Sequence, residues 1–220
     1  MAATPATRRI GLLIYDGVEL LDHAGPYEVF TTASRMHARR EPLAPPPFEV
    51  CALAASGRPV QARAGLQLQP DHAIDVHPAL NVLLIPGGVV DAPLADARLL
   101  AWVAAQAARS EVVASVCTGA FVLARAGVLP DGSACTTHWE DLADLRQAHP
   151  ALQVLSGVRW VQATTAQGRP LYTSAGISAG IDLALHLVEV LIDRELAERT
   201  ARQMDYRWIR GAHEGAAHVL

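Results

Sequence analysis

A chain of 220 residues with 51% hydrophobic and 18% charged content has enough apolar material for a sizeable core, and its formal charge of -4 offers no cationic footprint for a polyanion. Nucleic acid is therefore not an expected partner. No apolar run approaches the roughly 20 residues that span a bilayer, and the N-terminal MAATPATRR lacks the apolar centre of a secretory signal, so no membrane association and a cytoplasmic location are expected.

In chain order, RIGLLIY (residues 9–15) reads as a strand, PYEVFTTASRMHA (26–38) as a helix, and the proline cluster around Pro45 to Pro47 as a surface loop. FEVCALA (48–54) reads as a second strand. The Gly-punctuated segment 56–76 then reads as a hairpin-like excursion. ALNVLLIP (79–86) and EVVASV (111–116) are further strands, separated by the helical DARLLAWVAAQAARS (96–110). TGAFVLARAG (118–127) is a helix ending at Gly127. Two strands joined by a Gly turn follow in 158–176, and then one long helical region in 177–206. The alternation implies βαβ units and a parallel sheet, and strands that are apolar throughout imply helices on both faces. One α/β domain over residues 8–210 is expected, with residues 1–7 and 211–220 as flexible tails.

Cys51, Cys117 and Cys135 are far apart and odd in number, which argues against a disulfide framework and against CxxC metal or redox sites. Cys51 and Cys135 fall in strand-like runs and fit core packing. Cys117 differs because it sits where strand becomes helix, the corner from which a nucleophile projects beyond the carboxyl ends of an open sheet. Gly119 and Ala120 allow that helix to approach the sheet closely. The helix N-terminus is expected to favour thiolate, drawing the thiol from its usual value of about 8.5 toward neutrality.

A nucleophile needs a proton partner. Asp22 precedes the Gly25-Pro26 pair at the same rim, where two roles stay open: helix N-cap or acid-base catalyst. A capping box would place Glu or Gln at position 25, which is glycine. In LLIPGG, backbone N–H groups at Gly87 and Gly88 are candidates to hold a developing negative charge, although glycine pairs also simply make turns. His138 and Glu140 in TTHWEDL invite a Cys-His-Glu triad, but nothing in the sequence aims His138 at Cys117. Asp182 and His186, four apart, lack a third ligand for a metal.

Taken together, the Cys117 corner, the PGG strand end and LLDHAGPYEVF resemble the DJ-1/PfpI superfamily, relatives of class I glutamine amidotransferases with a cysteine at a strand-helix elbow. ASVCTGAFVLARAGVLPDGSACTTHW and YTSAGISAGIDLALHLVE resemble the branch that holds isonitrile hydratases and the amidotransferase-like domains of AraC-type regulators. The resemblance covers about Arg9 to Tyr206. It implies a three-layer α/β/α sandwich, flavodoxin-like, with a mostly parallel sheet and a homodimer.

Three departures narrow the choice. PfpI-type peptidases carry histidine after the nucleophile, whereas Thr118 follows Cys117 here. AraC-type regulators append a DNA-binding region for which no room is seen before Leu220. The amidotransferases take their His-x-Glu pair from far downstream, so HWE is not that pair. Isonitrile hydratases resemble this chain in pairing the cysteine with the aspartate of Asp-x-x-Gly-Pro and in having threonine next, which maps the catalytic roles onto Asp22, Cys117 and Thr118. The implied reaction adds water to an isocyanide to give an N-substituted formamide through a covalent thioimidate, with no metal or organic cofactor. The alternatives are a stand-alone ligand- or redox-sensing domain, or another cysteine-dependent hydrolase or glyoxalase of the superfamily.

Overall fold

The apolar runs form the centre of one sheet in the computed structural model of the chain, which describes residues 7–211. Most of the two expected tails, residues 1–6 and 212–220, lies outside the described residues. In chain order the first elements are β1 (Arg8–Leu13), α1 (Leu20–Arg40), β2 (Phe48–Ala54), β3 (Val60–Gln61), β4 (Gln67–Leu68), β5 (His72–Ala73), β6 (Val82–Ile85), α2 (Asp91–Ala95) and α3 (Ala97–Ala107). Then come β7 (Val112–Val116), α4 (Gly119–Arg125), β8 (Ala134–Cys135), a 3-10 turn (Trp139–Asp141), α5 (Leu142–Ala148) and β9 (Gln153–Val154). The chain closes with β10 (Trp160–Thr164), β11 (Pro170–Ser174), α6 (Ala179–Leu191) and α7 (Arg194–Gln203).

The seven-stranded sheet runs β10-β11-β7-β6-β1-β2-β5, and every pair is parallel except the edge pair β10-β11. Its five long parallel strands β2-β1-β6-β7-β11 take the flavodoxin-like order 2-1-3-4-5 in chain sequence, with the switch point between β1 and β6. Successive strand residues divide between two cores. Ile10, Leu12, Val82, Leu84, Val112 and Ala114 pack with α1, α6 and α7, while Leu13, Leu83, Ile85 and Val113 pack with α3 and α4. That double burial is why the strands are apolar throughout.

Two expectations are corrected. The helical region over 177–206 is two helices: α6 stops at Leu191, Asp193 is extended, and its carboxylate accepts the Leu196 N–H at 2.7 Å to cap α7. The first helix starts at Leu20, six residues before Pro26, so Asp22 is no N-cap but lies inside the first turn. Glu19 holds the cap position. Pro26 is tolerated because it deletes only the bond to the carbonyl of residue 22, near the helix start. The excursion over 56–76 holds the antiparallel pair β3-β4, then β5, which joins the sheet beside β2. Among the described residues no helix is long and apolar enough to cross a membrane.

Candidate active site

The carboxyl ends of β1, β6 and β7 converge at the switch point, and each delivers one part of the site. Cys117 follows β7 directly, with φ 55, a left-handed conformation that costs a non-glycine residue energy and turns the chain sharply into α4. Gly119 makes that turn possible: a Cβ there would run into the Ile85 carbonyl oxygen. The elbow is anchored on both sides. The Cys117 N–H donates to the Ser174 and Ala175 carbonyls at 3.2 and 3.3 Å, and its own carbonyl accepts the Thr137 hydroxyl at 2.9 Å.

Asp22 arrives from α1, fully buried. Its Oδ2 accepts the Gly87 N–H at 2.9 Å, and its buried Oδ1 lacks a hydrogen bond of good geometry. Burial is the main reason its pKa rises from 3.8 to about 7; the Glu19 charge adds to it, and the Gly87 N–H, the Cys117 thiol and the Ile177 N–H oppose it. The expected thiolate is not what the elbow favours. Cys117 is only 7% exposed, and burial, followed by the charge of Asp22, pushes its thiol up to about 12 against the opposing Thr118 N–H. The seven-residue α4 is too short a dipole to outweigh both effects. At rest the pair therefore shares protons: a neutral thiol beside a carboxyl that titrates near neutrality.

The roles expected of the PGG loop also change. Gly87 N–H is taken by Asp22, and Gly88 N–H donates to the Thr118 hydroxyl at 2.8 Å, so both N–H groups are committed in the resting site rather than free for an oxyanion. Thr118 returns its own hydroxyl proton to the Gly88 carbonyl at 2.9 Å. Its side chain thus clamps the β6 loop to the elbow. Gly87 has to be glycine, because a Cβ would sit 2.6 Å from the Thr118 nitrogen and 2.8 Å from the Cys117 Cβ.

Cys117 and Thr118 open onto a cavity of about 440 Å³ that is also lined by Gly88, Phe121, His138 and Ile177. Five carboxylates, Glu19, Asp91, Glu140, Asp141 and Asp144, face it against one guanidinium, Arg63, which pairs with Glu19 at 3.9 Å. This acidic lining follows from no single sequence motif, since its members come from three separate stretches, the cap of α1, the start of α2, and the 3-10 turn with α5. His138 does line the cavity with Cys117. Its Nδ1 lies 3.3 Å from Asp141 and 3.8 Å from Glu140. Ile177, with φ 49, is a second left-handed residue at the site that the sequence did not single out.

The other candidates separate from the site. Asp182 is ion-paired with Arg159, and His186 stacks on Trp160 with ring centroids 4.2 Å apart. Among the described residues no three His, Cys, Asp or Glu side chains converge as metal ligands. Cys51 and Cys135 are free, buried core residues.

The DJ-1/PfpI family matches residues 8–190. The isonitrile hydratase of Pseudomonas putida is 34% identical over 199 residues, 90% of this chain and 78% of that protein. The HTH-type transcriptional regulator GbdR of Pseudomonas aeruginosa is 31% identical over 205 residues, where the chain spans 93% of itself but about half (52%) of the regulator. Among solved structures, a THiJ/PfpI family protein from Pseudomonas syringae superposes with a TM-score of 0.78 at 29% identity, covering 98% of this chain and 81% of that one. The carboxyl-thiol pair at the switch point therefore sits in a chain that belongs to the DJ-1/PfpI family.

Proposed function

We propose that the chain is a cysteine-dependent enzyme of the isonitrile hydratase kind, a cytoplasmic homodimer that adds water to a small isocyanide. The observation that carries this reading is the buried Asp22 carboxyl, set by Gly87 to act on the Cys117 thiol at the mouth of a cavity. The similarity to the Pseudomonas putida isonitrile hydratase supports it.

A neutral thiol suits this chemistry. The terminal carbon of R–N≡C must gain both a proton and sulfur, and the Cys117 S–H supplies both. Asp22 takes the thiol proton and delivers it to that carbon as the S–C bond forms, leaving the thioimidate R–N=CH–S. Water then adds to the same carbon with one of its protons going to the nitrogen, the C–S bond breaks as the carbonyl forms, Asp22 passes the remaining hydroxyl proton to the sulfur, and R–NH–CHO leaves. A carboxyl titrating near 7 matches this two-way transfer, since general acid-base groups work best with a pKa near ambient pH. The acidic cavity lining accords with an uncharged or cationic substrate and disfavours an anionic one.

The test is turnover of an aryl isocyanide with the formamide quantified. The wild type turns over; Asp22→Asn falls by on the order of 10²-fold or more, the usual share of acid-base catalysis; Cys117→Ser is nearly inactive. Ligand binding without turnover would instead favour a sensing domain like the half of the regulators that the chain matches. Near-normal rates in Asp22→Asn would remove the proton-transfer role.

A further inference from the structure

One peptide unit carries the whole polar support of Asp22 that has good geometry. The Gly87 N–H donates to Asp22 Oδ2 at 2.9 Å, and the carbonyl at the other end of that peptide, that of Pro86, accepts the Tyr15 hydroxyl at 2.9 Å. Tyr15 lies two residues beyond β1 and is buried, 7% exposed. Its backbone is tied into the same turn, where its carbonyl accepts the Val18 N–H at 3.0 Å. The Gly87 carbonyl then accepts the Glu19 N–H at 2.9 Å, so the next peptide is fixed to the start of α1. Tyrosine hydroxyl, peptide and carboxyl thus form one chain of hydrogen bonds through the core of the site.

We infer that Tyr15 is a positioning residue for Asp22: its hydroxyl holds and polarises the Pro86–Gly87 peptide whose N–H holds the carboxylate. Hydrogen bonds in series strengthen one another in a low-dielectric interior, and a carbonyl that accepts a proton at one end of a peptide makes the N–H at the other end a better donor. A better donor to the charged form of a carboxyl draws its titration downward. Burial, Asp22 and Cys117 all raise the Tyr15 pKa, so the hydroxyl keeps its proton and remains a donor at neutral pH. Without Tyr15 the Asp22 titration would lie higher, leaving less of the carboxylate form at neutral pH to accept the thiol proton. The inference rests on Asp22 serving Cys117 and not on which substrate is turned over.

The experiment measures the rate of Cys117 alkylation by iodoacetamide across the neutral pH range, with peptide mapping, for wild type, Tyr15→Phe, Asp22→Asn and the double variant. The carboxyl-thiol pair loses its protons in two steps. The first gives the wild-type profile an inflection near 7. Tyr15→Phe moves that inflection upward by about half a pH unit, the share expected when a charge-assisted donor is weakened but not lost. Asp22→Asn abolishes it, and Tyr15→Phe then has no further effect on the profile. 3-Fluorotyrosine at position 15, a stronger donor of nearly equal volume, moves it downward and serves if Tyr15→Phe does not fold. An inflection that stays in place in the folded variants, whatever happens to the melting temperature, overturns the inference and reduces Tyr15 to a structural residue. Absence of isocyanide turnover would overturn the substrate reading and leave this profile intact.

Discussion

Asp22 and Asp182 are the same residue type, each fully buried and each in the first turn of a helix packed on the same face of the sheet. Asp182 is met by a guanidinium: Arg159 Nε donates to its Oδ2 at 2.9 Å and Nη2 also reaches it, while the Ile209 N–H donates to Oδ1 at 2.9 Å. Asp22 accepts one well-formed hydrogen bond, from the Gly87 N–H to Oδ2, and otherwise has only the Cys117 thiol and the Ile177 N–H beside it. Burial raises the pKa of both, but Arg159 opposes it for Asp182, whereas no cation opposes it for Asp22. A buried carboxylate with a cation is a structural charge. One without a cation is left to be balanced by a proton, and a proton can move.

The largest effect that would break this contrast is on stability. Asp182→Asn leaves Arg159 facing a neutral amide and should destabilise the fold by about 3–5 kcal/mol, seen as a lowered melting temperature at neutral pH. Asp22→Asn should act in the opposite direction. Because the folded-state pKa lies above the ordinary 3.8, the protonated form is the one folding favours, so the wild type should lose stability as pH rises from about 4 to about 7, by up to on the order of 4 kcal/mol. Asp22→Asn should lack that loss and melt several °C higher than wild type above pH 7, at about 2–4 °C per kcal/mol. A stability difference between wild type and Asp22→Asn that stays constant over this interval, measured by thermal melts in a pH series, would remove the titrating role of Asp22.

A smaller effect concerns the cavity. Iodoacetate should alkylate Cys117 roughly tenfold more slowly than iodoacetamide, beyond their ratio with a free thiol, because five carboxylates line the approach. Added salt, or Asp141→Asn with Asp144→Asn, should narrow the gap. Equal rates would dismiss the charge selection. The smallest effect is the order of labelling among the cysteines. Cys51 and Cys135 are raised to about 11 and Cys117 to about 12, so acidity alone would place Cys117 last. It should nevertheless label first, since it opens onto the cavity and has Asp22 as its base, and in Asp22→Asn its lead should shrink a few-fold.

The fold was legible because its signals are local. Apolar runs alternating with helical segments give the parallel sheet, and β-branched Val112, Val113 and Val116 before a small-residue helix give the elbow. The break at Asp193 and the early start of α1 were less so: an Asp that caps and a Pro that sits inside a helix are residue types with two uses, and only packing decides between them. Asp22 was placed at the right rim with two roles open, and the helix start removes one of them, because Glu19 holds the cap position. The state of the site was illegible because it depends on burial. Nothing in a cysteine before Thr-Gly announces that desolvation will outweigh a short helix dipole, and nothing in Pro-Gly-Gly says that its N–H groups are already taken. His138 and Glu140 could be named from the sequence but not aimed, while Ile177, Glu19, Asp91 and Asp144 come from stretches far apart in sequence that no motif links to Cys117.

The most direct measurement is the titration of Asp22 itself, by carbon NMR of protein labelled at the aspartate carboxyl carbons and assigned with Asp22→Asn. A midpoint near 7 that moves when Cys117 is replaced by alanine is the expected result, because the two groups share their protons. A midpoint in the ordinary carboxylate range, unchanged in the Cys117→Ala protein, would contradict the account: Asp22 would then be a fixed charge with no proton to exchange at neutral pH.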